Sequence, residues 1–383
     1  MAEPRSLYIH IPFCVRKCRY CSFVSVADAP LSPKEYTDLL LREMALRAGC
    51  SPTPPRAPTL YLGGGTPSLL PPEEVGRIVE AAGRLWGLES GAEVTLEANP
   101  GTVTPASLTG YRAAGVNRLS LGVQSFDDRM LVTLGRLHSG REAREAFDAA
   151  RRAGFDSVGI DLIHSLPAQD IGHWREELRC AATLSPEHLS AYGLTVEEGT
   201  PFARLEAEGG LLLPDEEGAA RMFEETAEIL AAHGYEHYEI SNYARPGRRS
   251  RHNQVYWRRE GYVGFGAGAH SFLPAPRPGI RWKNPDDLAR YGSLLAAGGL
   301  PDEEIARLTT RDAMGEWLFL GLRLLDGVEI ARFGEEFGTA LETVYGGELE
   351  RLRAAALLEF TDTRLRLTRR GVLLSNQVFA RFL

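Results

Sequence analysis

Residues 14–21, CVRKCRYC, bring three thiols within eight positions. Cys14, Cys18 and Cys21 form a C-x3-C-x2-C pattern, and no fourth cysteine lies near. Thiols this dense in one loop read as a metal or iron–sulfur site. A structural zinc ion needs a fourth ligand, for which His10 is a candidate. Iron–sulfur clusters normally take four thiolates, so a four-iron cluster held by three leaves one iron open. A small chelate with an amine and a carboxylate can fill that position. The methionine end of S-adenosylmethionine (SAM) is such a chelate. Cys50 and Cys180 stand alone and read as small residues without a chemical role.

The loop must be held by something larger. The chain has 383 residues, 44% of them hydrophobic and 25% charged, which suits one large domain and a smaller one. Net charge is −8, which argues against a general nucleic-acid binder. MAEPRSLYIHIPF lacks the basic start and long apolar run of an export signal. No apolar stretch approaches the roughly 18 residues of a membrane span. These features predict a cytoplasmic protein, where thiols stay reduced.

Six strand-like segments alternate with amphipathic ones over the first 245 residues. The strands are SLYIHI (6–11), PTLYLG (58–63), AEVTLEA (92–98), NRLSLGVQ (117–124), SVGIDLIH (157–164) and HLSAYGLT (188–195). Ser32-Pro33 predicts the cap and first turn of the helix KEYTDLLLREMALRA. Such repeats imply a parallel sheet with outer helices, curved into an incomplete barrel or open and doubly wound. In barrels the site gathers at the carboxyl ends of the strands. The unusual residues lie there: the cysteines, GGGTP, Glu97-Ala98-Asn99-Pro100, Gln124 and Asp161. Three regions are expected: an α/β barrel over 1–244, a basic and glycine-rich connecting segment over 245–286, and a smaller, mostly helical, winged domain over 287–383.

The C-x3-C-x2-C loop after a first strand, with GGGTP after the second, resembles the radical-SAM superfamily. The resemblance implies an incomplete (β/α)6 radical-SAM barrel, a [4Fe-4S] cluster on Cys14, Cys18 and Cys21, and SAM on its open iron. YIHIPFCVRKCRYCSF, YLGGGTPS, TLEANP, RLSLGVQSF and GIDLIHSLPAQ are further similar to the oxygen-independent coproporphyrinogen III oxidase family. That likeness implies that Tyr8 and Tyr20 lie against SAM and that Gly64, Gly65 and Thr66 meet its methionyl part. Glu97, Gln124, Arg136 and Asp161 match polar SAM-contacting positions. Carboxylates accept hydrogen bonds from hydroxyl or ammonium groups, and arginine pairs with a carboxylate in fork geometry.

Two features depart from the oxidases. Their motif runs CxxxCxxCxC, whereas here the last position is Phe23, and only 13 residues precede Cys14. HNQVYW (252–257) instead resembles the HNxxYW motif of the HemW-type haem chaperones. This implies haem as ligand and client haemoproteins, such as respiratory enzymes, as partners. His252 is the expected haem ligand, with Tyr256 or Trp257 against the porphyrin face and His270 as a second candidate ligand. Arg245, Arg248, Arg249, Arg251, Arg258 and Arg259 are expected to pair with propionates or to touch an acidic membrane surface. The alternative function is oxidative decarboxylation of porphyrinogen propionates or another radical-SAM reaction such as methyl transfer. The oligomeric state, monomer or homodimer, is left open.

Overall fold

The computed structural model describes residues 5–50 and 56–383. Its first half is a run of β/α units: β1 (Ser6–Ile11), α1 (Pro33–Gly49), β2 (Ala57–Gly64), α2 (Pro72–Trp86), β3 (Leu88–Ala98), α3 (Pro105–Ala113), β4 (Arg118–Gln124), α4 (Asp128–Leu134), α5 (Gly140–Arg152), β5 (Val158–His164), α6 (Ile171–Leu184) and β6 (His188–Gly193), then α7 (Pro201–Ala207) and α8 (Glu216–Ala232). β1 to β6 are parallel neighbours in chain order. β6 pairs onward with β8 and not with β1, so the six strands form the incomplete barrel. The six expected strands and the Ser32–Glu35 capping box match the observed elements.

Alternation along the strands separates two environments. Leu7, Ile9 and Ile11, Leu60 and Leu62, and Leu119, Leu121 and Val123 join the core under the helices. The intervening positions are polar: Tyr8 and His10, Thr59 and Tyr61, Thr95 and Glu97, Arg118 and Ser120, His188 and Ser190. The lumen is therefore a polar cavity and not an apolar plug.

The sheet is larger than expected. β7 (Glu236–Glu239) and β8 (Asn242–Ala244) extend it beyond β6. After α9 (Arg251–Trp257), β9 (Tyr262–Phe265) pairs parallel with β1 as a seventh parallel strand. β10 (His270–Leu273), β11 (Ile280–Lys283) and β12 (Glu303–Arg307) continue antiparallel, with α10 (Leu288–Ala296) before β12. Within the expected connecting segment 245–286, β9, β10 and β11 thus join the barrel sheet. Leu288, Tyr291 and Leu295 of α10 also belong to the barrel core, so the smaller domain starts later than residue 287. Four-residue strands among glycines and prolines carry too little periodicity to be read from sequence.

The second core begins with α11 (Thr310–Gly321). It continues through β13 (Val328–Glu329), α12 (Ile330–Phe337), α13 (Leu341–Ala354), β14 (Leu358–Phe360), β15 (Arg364–Leu367), α14 (Arg369–Leu373) and α15 (Ser375–Phe379). β14 and β15 form the expected wing, with β13 on the far side of β15. Leu318, Phe333, Tyr345, Leu365 and Val378 fill this core, joined by Ile240 from the barrel. Buried Arg259 ties the two parts, pairing with Glu316 at 3.0 Å and Glu336 at 3.1 Å.

One buried carboxylate fastens the extension to the barrel. Glu43 of α1 accepts from Arg47 Nε (2.8 Å), Asn284 Nδ2 (2.8 Å), the Gly266 amide (2.9 Å) and Tyr291 Oη (2.7 Å). Gly266 sits there at φ +98°, and a Cβ would lie 2.5 Å from the Tyr36 hydroxyl and 2.6 Å from the His10 carbonyl. Removing Glu43 leaves buried Arg47 with Asp302 as its remaining charged partner and strands the Gly266 amide and the Tyr291 hydroxyl. Glu43→Ala is expected to destabilise the protein by about 3–5 kcal/mol, read as a fall in the urea midpoint. A change under about 1 kcal/mol would contradict this account.

Candidate functional site at the cysteine loop

The loop after β1 is braced before any cofactor is considered. Cys14 N donates to Val26 O (3.0 Å) and Val26 N to Pro12 O (2.8 Å), closing the loop on itself. Arg16 Nη2 donates to Gly135 O (2.8 Å) and Arg19 N to Leu134 O (3.0 Å), which ties the loop to the end of α4.

The glycines after β2 make room for this loop. A Cβ on Gly65 would lie 2.7 Å from the Phe13 carbonyl oxygen, and one on Gly64, at φ +112°, 2.6 Å from the His10 ring. Their first role is therefore close packing of β2 against the cysteine loop.

A polar chain then links two of the cysteines. Cys14 Sγ lies 3.6 Å from Thr66 Oγ1, and Asn99 Nδ2 donates to that oxygen at 2.9 Å. Arg136 Nη2 donates to Asn99 Oδ1 and to Gly122 O, both at 2.5 Å, while Nη1 reaches Cys18 Sγ at 3.6 Å. Arg136 Nε is buried without a partner. Arg136 therefore comes to rest beside sulfur, where negative thiolate charge is expected. Tyr20 sits next to Cys18, and burial pushes its phenol pKa up. Burial also raises the Cys21 thiol, so a cluster here must draw the proton away.

The donor set fits a cluster better than a single ion. Among the described residues no three His, Cys, Asp or Glu side chains converge closely enough to hold one metal. A cubane binds its thiolates on different irons, so they need not converge. His10 is spent: Nδ1 meets Tyr8 Oη at 3.1 Å and Nε2 meets Val24 O at 2.7 Å. The zinc reading loses its fourth ligand.

Beneath the loop a cavity of about 540 Å³ runs down the lumen. Cys14, Cys18, Cys21, Tyr20, Gly64, Gly65, Thr66, Glu97, Gln124, Arg136 and Asp161 all line it. Glu97 accepts from Tyr61 Oη (2.7 Å) and the Gly64 amide (3.1 Å). Its burial, with Asp161 nearby, raises its pKa to about 7. Asp161 takes the Ser120 hydroxyl at 3.0 and 3.2 Å, and burial raises its pKa as well. Gln124 adopts φ 68° at a register shift between β4 and β5. Tyr8 lies behind the lining, bonded to His10 and stacked on Tyr61.

The HNQVYW segment requires correction. It forms α9, which closes the amino-terminal end of the barrel. The backbone amides of Arg251 and His252 donate to Glu93 at 3.1 and 2.9 Å. His252 is 1% exposed and stacks on Tyr61. Its Nδ1 meets Thr59 Oγ1 at 2.7 Å and its Nε2 meets Tyr256 Oη at 2.8 Å. Both ring nitrogens are engaged, so this placement does not offer the imidazole to a haem iron. Tyr256 and Trp257 turn away from the cavity, with Arg323 stacked on Trp257. Asn253 and Ser250 line the cavity instead. The basic residues are largely engaged too: Arg249 pairs with Glu236 and Asp326, Arg251 donates to Gly91 O, Arg258 to Gln254, and Arg245 stacks on Tyr235. His270, at the start of β10, is exposed.

The Radical SAM superfamily model matches residues 8–179, and the HemN C-terminal domain model matches residues 308–374. The Bacillus subtilis protein named "Heme chaperone HemW" is 37% identical over 380 residues, covering 99% of each chain. The Escherichia coli protein of the same name is 41% identical over 278 residues, 71% of each chain. The chain belongs to the HemW family. The structure of the Escherichia coli coproporphyrinogen III oxidase HemN superposes with a TM-score of 0.86 at 24% identity, covering 100% of this chain and 90% of that one, which shows a shared fold. Radical SAM membership implies a [4Fe-4S] cluster and SAM in this HemW-family chain. Among the described residues no helix is long and apolar enough to cross a membrane.

Asn99 was not singled out by type, although its place at a strand end was visible. Asn99→Ala removes the link between Thr66 and Arg136. SAM affinity is expected to fall about tenfold, equivalent to about 1.4 kcal/mol, with iron content retained, as read by calorimetry on cluster-loaded protein. Glu97 sets a pH dependence. Its folded pKa near 7 lies above the usual carboxylate value of 4.5, so the unfolded chain gives up the proton first. Stability of the ligand-free protein should fall by a few kcal/mol between pH 4.5 and 7 and then level off. Glu97→Gln should flatten part of that slope in urea midpoints taken across pH.

Proposed function

We propose that this protein is a haem chaperone built on a radical-SAM barrel, binding a [4Fe-4S] cluster, SAM and haem and delivering haem to client haemoproteins. The observation that carries this reading is similarity, at 35–37% identity over nearly the full chain, to proteins named haem chaperone. In this reading Cys14, Cys18 and Cys21 hold the cluster. Thr66, Asn99 and Arg136 fix the cysteine loop and offer polar groups to the SAM amino-acid end. Glu97 and Asp161 accept hydrogen bonds from SAM hydroxyl or ammonium groups. The cluster, when bound, supplies an open iron for SAM to chelate. Phe23 stands where the oxidases have a further cysteine, and the decarboxylase alternative is not favoured.

The haem face follows from exposure. Phe23 is 64% exposed, and Val15 and Leu137, which line the same cavity, are also exposed, apolar surface suited to a flat macrocycle. His270 is the accessible histidine of the two sequence candidates. His252 then acts as a floor brace, consistent with its full burial. Clients and a cytoplasmic setting are part of the same proposal.

An anaerobic haem titration of cluster-loaded protein tests it. Saturable binding with a defined Soret band is expected. His270→Ala should shift that band and weaken binding about tenfold or more. His252→Ala should cost about 2–4 kcal/mol of stability and leave the band in place. Each of Cys14→Ala, Cys18→Ala and Cys21→Ala should bring iron from about four per chain to near zero. Coproporphyrinogen should lose no carbon dioxide. Absence of saturable haem binding by wild-type protein sinks the chaperone reading.

A further inference from the structure

The lower lumen holds buried polar groups without a partner among the described residues. Arg118 begins β4, is 4% exposed, lines the cavity and leaves Nε without a partner. It forms no ion pair among the described residues. Asp161, the neighbouring carboxylate, feels its charge but is hydrogen-bonded to Ser120 instead. An arginine taken out of water without an anion is costly. Thr95, its register partner on β3, also has an unpartnered buried hydroxyl.

His188 adds a third group. It is 2% exposed, lines the same cavity, and leaves Nδ1 unpartnered. Tyr238 Oη accepts from the Ser250 amide (3.4 Å) and meets His188 Nε2 (2.8 Å). With Nε2 engaged by the phenol, Nδ1 is the ring nitrogen left to the cavity. Asn253 brings an amide to the cavity from α9.

We propose that Arg118, His188 and Asn253 form a carboxylate receptor at the closed end of the barrel, separate from the SAM position at the cysteine loop. A single guanidinium balances one negative charge, and with Asp161 and Glu97 above it the site disfavours a dianion such as phosphate. Arg118 and Gln124 are six residues apart on one strand, or about 20 Å. A SAM molecule whose carboxylate chelates the cluster iron therefore cannot also place that carboxylate here. The carboxylate is that of a free small acid, because a haem lying on the apolar surface beside the cysteine loop sits at the other end of the barrel. This assignment does not rest on the haem reading above.

The test compares sodium propionate with propionamide by thermal shift on full-length, cluster-loaded protein. The expected result is a preference of tenfold or more for the acid, lost in Arg118→Met and in Asn253→Ala, and reduced in Arg118→Lys, whose point charge lacks the fork. Iron content should be unchanged in these variants. Without any acid, Arg118→Met should melt at the same or a higher temperature. The outcome stands even if haem binding fails altogether. No preference, or one that survives in Arg118→Met, means that ordered water satisfies these groups and overturns the receptor.

Discussion

Arg136 holds the site together through its two ends of contact, oxygen on one side and sulfur on the other. Its guanidinium touches Asn99, the Gly122 carbonyl and Cys18, and Asn99 carries the connection to Thr66 and Cys14. The cysteine loop is thereby fixed by the ends of three strands and by α4. A loop with three thiols but no such bracing would have many arrangements in which the sulfurs do not face one cluster. Here the loop geometry is set by the barrel, and preorganisation of this kind is what a ligand shell needs.

The barrel can afford a polar lumen because its outer face carries the apolar burden. Leu, Ile and Val at alternate strand positions pack under the helices, and the intervening inward positions bear Tyr, Glu, Arg, Asp and His. Most of these inner groups satisfy one another, as Tyr61 does Glu97 and Thr59 does His252. Where they do not, at Arg118, Thr95 and His188, the imbalance marks a place for something that the chain does not itself supply.

Much of this was legible in the residues. Six strands, the cysteine loop, the glycine turn and the strand-end places of Glu97, Gln124 and Asp161 follow from period-two patterns and motif order, whereas Arg136 rests on the family resemblance alone. The rest was hidden for physical reasons. β9 to β12 are too short for periodicity and owe their pairing to β1 and to Glu43, far away in sequence. HNQVYW looks like a basic, aromatic surface loop, yet Glu93 capping its amides and Tyr61 stacking on His252 draw it inward. Asn99 and Arg118 carry no signal by type; only the neighbours they meet or fail to meet reveal them.

The placement of α9 across the amino-terminal end also governs the order of events. A vessel stoppered at its base is filled and emptied through its top. If the receptor at Arg118 fills through the mouth beside the cysteine loop, a ligand held at the rim covers the one below it and acts as its latch.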